Sequence, residues 1–300
     1  MRFLPFAIAF AAIAIAPLAA EAANQPLVDT AWLSAHQKDP HIVLLDIRDN
    51  VEKTDLGDKP YIANAVIAPY ETAGWRTKVD GVPGQVPPVD QISALIGKLG
   101  ISNDDHVIIV PWGTDSSDFG TATRVYWTFK YLGDDNVSIL DGGWRQYDAA
   151  GGARAVAPAS PAPVTFVAHV QPQLRATTQD VQQALKDGTP LVDARPTAQY
   201  EGKVKSPADR VAGTLPGAKS LPNSELYSAK YARFAKPETI AALAQKVGLK
   251  SGEKNIEFCN TGHLATVDWF AFHEILGDKN ATMYDGSMSE WTRDPSHPVQ

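Results

Sequence analysis

One cysteine, Cys259, stands in a chain of 300 residues. That scarcity excludes an internal disulfide, a Cys-x-x-Cys redox pair and a thiolate zinc cage, so any sulfur chemistry rests on a single thiol. Excess positive charge is lacking too. The 27 Lys and Arg against 34 Asp and Glu leave the chain at −7, which repels a phosphate backbone and argues against nucleic acid as a partner. Walker and dinucleotide glycine patterns do not occur, so no nucleotide cofactor is expected, and neither another cofactor nor a metal site is predicted. After Ala20 no apolar run is long enough to span a bilayer. What is present is ordinary: 44% hydrophobic and 20% charged residues are globular proportions, and the length suits two domains.

Met1-Arg2 precedes the apolar run Phe3 to Ala20, and Ala20-Glu21-Ala22 fits the small-x-small cleavage pattern. Residues 1–22 are therefore expected to be a signal peptide. The competing reading, a retained membrane anchor, is disfavoured by Pro17 and the cleavage pattern. The mature protein is expected to be periplasmic or secreted, with no membrane contact after cleavage.

The remaining chain repeats itself. His41 to Arg48 and Pro190 to Arg195 are both apolar runs ending in Asp-x-Arg, and Leu132-Gly133-Asp134 with Asp141-Gly142-Gly143-Trp144 matches Leu276-Gly277-Asp278 with Asp285-Gly286-Ser287. The two landmarks share a spacing of about 145 positions, too long for a solenoid repeat and right for a duplicated domain. An Ala/Pro/Gly-rich stretch without apolar periodicity separates the copies, placing domains at 23–150 and 164–300 with a linker at 151–163. Strands are expected at His106–Val110, Leu191–Ala194, Gly217–Leu221, Asn255–Phe258 and Ala281–Tyr284. Helices are expected at Thr121–Leu132, Thr178–Lys186, Pro237–Val247 and Leu264–Leu276, with a capping box at Thr177–Asp180. This alternation is an α/β pattern: a mostly parallel sheet flanked by helices in each copy, with ligands at the carboxyl ends of the strands.

Cys259 falls at such an end. A lone cysteine is often an inert apolar filler, but Cys259-Asn260-Thr261-Gly262-His263-Leu264 is a polar turn between a strand and a helix. A turn of this kind can aim its backbone N–H groups at one point, which favours the nucleophilic thiolate and cradles an anion or a terminal persulfide sulfur. His263 has two open roles, electrostatic assistance or a surface hydrogen bond. In the first copy the corresponding loop, Pro111 to Phe119, has no cysteine and carries Asp115 and Asp118, so that half is expected to be structural. Asp141-Gly142 and Asp285-Gly286 read as turn-formers. A cysteine phosphatase would need an arginine at position 265, which is Ala.

The tandem copies, the Asp-x-Arg strand ends, Pro216-Gly217-Ala218, the Cys-led loop and Tyr284-Asp285-Gly286-Ser287-Met288-Ser289-Glu290-Trp291 together resemble the rhodanese (thiosulfate/3-mercaptopyruvate sulfurtransferase) family over nearly the whole mature chain. The resemblance implies two tandem rhodanese-like domains, an inactive first and a catalytic second, with the site between them. It implies that Cys259 takes a sulfane sulfur from thiosulfate as a persulfide and passes it to cyanide, a small thiol or a protein thiol. It places Arg195 at the substrate-anion position and Asn260, Thr261, Gly262, His263 and Leu264 around the bound sulfur. The loop departs from the family's common patterns, which carry Arg-Lys or Gly-Ser-Gly after the cysteine. The alternatives are a persulfide carrier and 3-mercaptopyruvate as the donor.

Overall fold

A computed structural model describes residues 25–300; the expected signal peptide, residues 1–22, lies outside the described residues. The first sheet contains β1 (Leu27–Val28), β2 (Ile42–Asp46), β3 (Val66–Ile67), β4 (His106–Val110) and β5 (Val137–Leu140) in the order β1-β5-β4-β2-β3. The second contains β6 (Arg175–Ala176), β7 (Leu191–Asp193), β8 (Lys219–Ser220), β9 (Asn255–Phe258) and β10 (Ala281–Tyr284) in the order β6-β10-β9-β7-β8. Each strand of the first sheet thus has a counterpart in the second, and the pairings within both sheets are parallel. The duplication read in the sequence is a duplication of topology. Among the described residues, no helix is long and apolar enough to cross a membrane.

The central strands are buried along their whole length, as parallel strands covered on both faces must be. The capping box forms as expected: Thr177 accepts from the Asp180 amide while Asp180 accepts from the Thr177 amide, opening the helix Thr178–Asp187. Three expectations need correction. The helix expected from Thr121 begins at Ser116, because Asp115 accepts hydrogen bonds from the Ser117 and Asp118 amides and caps it. The strand expected at Gly217–Leu221 shortens to Lys219–Ser220, with Gly217 in the left-handed region at φ +72°. The helix expected at Leu264–Leu276 runs as α-helix over Ala265–Trp269 and continues as π-helix over Phe270–Ile275.

The Ala/Pro/Gly-rich stretch is bound to the first domain. Arg154–Ala155 pairs with Tyr61–Ile62, the Ala159 amide donates to the Ala65 carbonyl at 2.8 Å, and the Val164 amide donates to the Gly97 carbonyl at 2.9 Å. The contacts continue past residue 163, where the His169 and Gln171 amides reach the carbonyls of Leu132 and Tyr131.

The two domains share one core. Ser116–Tyr131 lies against Ala265–Trp269, with the hydroxyls of Thr123 and Thr266 2.8 Å apart in the contact. Phe119 stacks on Phe234 at 4.8 Å between centroids, and Tyr126 meets Phe270 edge-on at 5.0 Å. Burying aromatics from both halves in one cluster fixes the domains against each other. Each half also lends a hairpin to the other: Thr77–Gln85 reaches the Cys259 loop, and Tyr227–Phe234 reaches the matching end of the first sheet.

Candidate active site

Strand register identifies the positions that correspond. Asp193 pairs with Phe258 in the second sheet as Asp46 pairs with Val110 in the first, so Cys259 stands where the first domain has Pro111. The Met288 and Ser289 amides donate to the Cys259 and Asn260 carbonyls, just as the Trp144 and Arg145 amides donate to those of Pro111 and Trp112. This makes Ser287 the counterpart of Gly143. Both are left-handed, Gly143 at φ +53° and Ser287 at φ +50°. Glycine adopts that conformation without penalty, whereas serine there is strained by about 1 kcal/mol or more.

The hydroxyl of Ser287 explains why the strained residue is present. Its Oγ accepts from the Cys259 and Gly262 amides, both at 3.1 Å, donates to the Tyr284 carbonyl at 2.8 Å, and lies 4.0 Å from Cys259 Sγ. One side chain therefore ties both ends of the turn to the thiol. Among the described residues, the N–H groups of Asn260, Thr261, His263 and Leu264 meet no acceptor. In the first domain Trp112 and Gly113, the counterparts of Asn260 and Thr261, donate to the Asp118 carboxylate at 3.1 and 2.6 Å, and Thr114, the counterpart of Gly262, donates to it at 3.1 Å. The first-copy turn is accordingly shorter than the sequence suggested, and its carboxylates are a helix cap and an internal anion.

The first domain holds the thiol loop in place. Fully buried Arg124 donates to the Gly262 carbonyl at 2.7 Å and the Gly84 carbonyl at 3.1 Å, and pairs with Asp285 at 2.6 Å. Asp285 also accepts from the Val86 amide and pairs with Arg175, so it is an interdomain junction and more than a turn-former. Gly262, at φ +65°, has no room for a side chain, since a Cβ there would lie 2.6 Å from the Asp285 carbonyl oxygen.

His263 points across the interface. Its Nε2 lies 3.0 Å from the Ser117 carbonyl, which can only accept, and its Nδ1 lies 2.8 Å from the Tyr70 hydroxyl. In the neutral ring Nε2 carries the proton and Tyr70 donates to Nδ1. Burial, reinforced by the nearby charges of Arg76 and Arg124, lowers the His263 pKa to about 3. Of its two open roles, the structure realises the hydrogen bond: the neutral ring is an interdomain clasp and supplies no positive charge at neutral pH.

Arg195 is 2% exposed and forms a fork with Asp193, donating also to the Gly213 carbonyl at 2.8 Å. Arg48 makes the same fork with Asp46 in the first domain. Only Nη1 of Arg195 faces the loop, through long contacts of 3.4 Å to Asp209 and 3.5 Å to Asn260. The Asp-x-Arg motif is therefore mainly architectural in both halves.

Asn260 donates to the Gln199 side chain at 2.9 Å. Leu264 packs on the shared core and offers the site its backbone alone. Cys259 is 1% exposed, and the space nearest its loop is a cavity of about 380 Å³ lined by Thr261, Tyr70, Glu71, Arg76, Lys78 and Gly84. Gly84, at φ +80°, lies so close to Thr261 that an added Cβ would sit 2.9 Å from it. Two further carboxyls, Glu257 and Asp268, are fully buried on the strand and helix flanking the loop, and neither has a hydrogen-bond partner among the described residues. Burial raises both pKa values well above the ordinary carboxyl values.

Sequence reasoning missed Ser287, Arg124, Tyr70, Arg76 and the junction role of Asp285. Ser287 had a signal, Asp-Gly-Ser standing against Asp-Gly-Gly in the first copy. Arg124, Tyr70 and Arg76 had none, because what ties them to the thiol loop, Gly262, His263 and Thr261, is more than a hundred positions away in the chain.

The family model for the rhodanese-like domain matches the chain twice, at residues 29–150 and 177–294. A putative thiosulfate sulfurtransferase of Mycolicibacterium smegmatis is 30% identical over 93% of this chain and 99% of its own length. The thiosulfate/3-mercaptopyruvate sulfurtransferase 1 of Arabidopsis thaliana mitochondria is 26% identical, with 92% of this chain and 78% of that protein covered. Among solved structures, the 3-mercaptopyruvate sulfotransferase of Escherichia coli superposes with a TM-score of 0.74 at 24% identity, covering 88% of this chain and 98% of that one. The anaerobic ergothioneine biosynthesis enzyme of Chlorobium limicola gives 0.78 at 18% identity, covering 92% of this chain and 70% of that one. With two family domains in the matching order and the shared strand topology, the chain belongs to the rhodanese family.

Proposed function

We propose that the protein is an exported thiosulfate sulfurtransferase working by double displacement at Cys259. The Cys259 thiolate attacks the sulfane sulfur of thiosulfate; the donor S–S bond breaks and sulfite leaves with its electron pair. The persulfide then gives its terminal sulfur to cyanide or a thiolate, and Cys259 returns as thiolate. The observation that carries this reading is the turn beside the thiol, whose amides at Asn260 and Thr261 are unclaimed while their first-domain counterparts, Trp112 and Gly113, are filled by Asp118. Unclaimed amides are suited to a terminal sulfur that carries negative charge. Burial of the flanking carboxyls Glu257 and Asp268 pushes them toward the uncharged form, which opposes a nearby anion less. Residues 1–22 direct export in this reading, which favours an inorganic donor over 3-mercaptopyruvate.

Purified protein is expected to form thiocyanate from thiosulfate and cyanide with parallel double-reciprocal plots, and Cys259→Ala to form none. Turnover by the alanine variant at the parent rate refutes the assignment. A stall after one equivalent instead identifies a persulfide carrier, and preference for 3-mercaptopyruvate in a paired donor assay identifies that donor.

A further inference from the structure

We propose that the anion clamp at the thiol comes from the first domain: Arg76, with Lys78 at the rim, binds the negatively charged end of the sulfur donor. This rests on the sulfurtransferase reading of the same site.

An anionic donor held in a cleft beside the loop is favoured by a cation there. The loop Asn260–Leu264 contains none. Arg195 has its fork on Asp193, and Arg124 is buried on two carbonyls and Asp285. The cations on the wall of the cavity beside Thr261 are Arg76 and Lys78, both on the first domain, and Glu71 is the acid beside them. The Arg76 side chain is 19% exposed and held with its guanidinium 4.6 Å above the Tyr70 ring, the same tyrosine that grips His263. Stacking fixes the guanidinium plane while leaving edge donors free for a bidentate oxyanion contact. Its pair with Glu71 is loose, at 3.6 Å to a carboxylate 62% exposed, so it competes weakly.

The surroundings reinforce the assignment. A second cavity of about 480 Å³ shares Lys78, Pro83 and Ala208 with the first and adds Lys205, Arg210 and Arg293, with Asp209 as its acid. In a chain of net charge −7, this run of cations beside the thiol loop draws anions toward it. The first domain, lacking a nucleophile, would then contribute substrate binding as well as support.

Alkylation of Cys259 tests the clamp independently of sulfur transfer. Iodoacetate carries a carboxylate and iodoacetamide does not, so the ratio of their second-order rates reports anion recognition at the thiol. Relative to the parent, Arg76→Gln is expected to lower this ratio about tenfold, as loss of one charge-assisted contact implies. Arg76→Lys should recover part of it, Lys78→Gln should lower it about twofold, and the remote Lys98→Gln should leave it unchanged. In turnover, Arg76→Gln should raise the thiosulfate KM with little change in kcat. An unchanged ratio in Arg76→Gln overturns the clamp whatever the turnover result. Absence of thiocyanate formation by the parent, with the ratio still falling in Arg76→Gln, instead overturns the sulfurtransferase reading and leaves an anion site at the thiol.

Discussion

The two domains share a topology and differ in what fills one turn. In the first, Pro111 stands at the strand end, Gly143 follows the next strand without strain, and the Asp118 carboxylate occupies the turn amides. In the second, Cys259 stands at the strand end, Ser287 takes the same left-handed conformation at a cost, and four turn amides are unclaimed. The turn presents backbone N–H donors in both halves. One copy closes it with its own aspartate, and the other leaves it open beside a thiol. The first half is tied to the thiol loop through Arg124, Tyr70 and Ser117.

The first way to attack this comparison is to cut the tie between the halves. Arg124→Met leaves buried Asp285 with Arg175 as its remaining cation and frees the Gly262 carbonyl. Urea denaturation is expected to show a loss of about 3 kcal/mol, the low end of the cost of breaking a buried pair because Arg175 remains, together with near-complete loss of turnover. A variant of parental stability and activity would mean that the first domain does not hold the loop.

Ser287→Gly makes the second copy resemble the first at a single position. Relief of strain and loss of the hydroxyl's hydrogen bonds should nearly cancel, leaving stability within about 1 kcal/mol. Turnover should fall by about tenfold or more, because the Cys259 and Gly262 amides lose their anchor. Full activity would show that the strained serine is incidental.

The smallest effect concerns the carboxyls of Glu257 and Asp268, buried beside the thiol loop. A carboxyl whose pKa is raised by folding stabilises the fold below its unfolded value and loses that contribution as pH rises through the folded one. For Asp268 the loss begins near its ordinary 3.8 and continues upward through its raised value. Its limiting slope is about 1.4 kcal/mol per pH unit. Denaturation midpoints of Asp268→Asn should therefore decline less between pH 5 and pH 8 than those of the parent, and an identical decline would show that Asp268 is not the group involved.

Much of the fold was legible because periodicity and duplication are local signals. The strand Asn255–Phe258, the Thr177–Asp180 capping box and the two-domain α/β order need only neighbouring residues or the matching copy to be read. The thiol loop was visible for the same reason. Arg195 was only half legible: the motif names the residue, but its recurrence at Arg48 is what marks the fork as architecture. Arg76, Arg124 and Tyr70 become visible only once folding brings residues from opposite halves together. The π-helical turn at Phe270–Ile275 has no periodic signature distinct from an α-helix.

Intact-protein mass spectrometry after exposure to thiosulfate, without any acceptor, tests the central claim most directly. The parent is expected to gain the mass of one sulfur atom, to lose it on addition of cyanide, and to gain nothing when Cys259 is replaced by alanine. An unchanged parent mass, or the same gain in the alanine variant, contradicts a persulfide at Cys259.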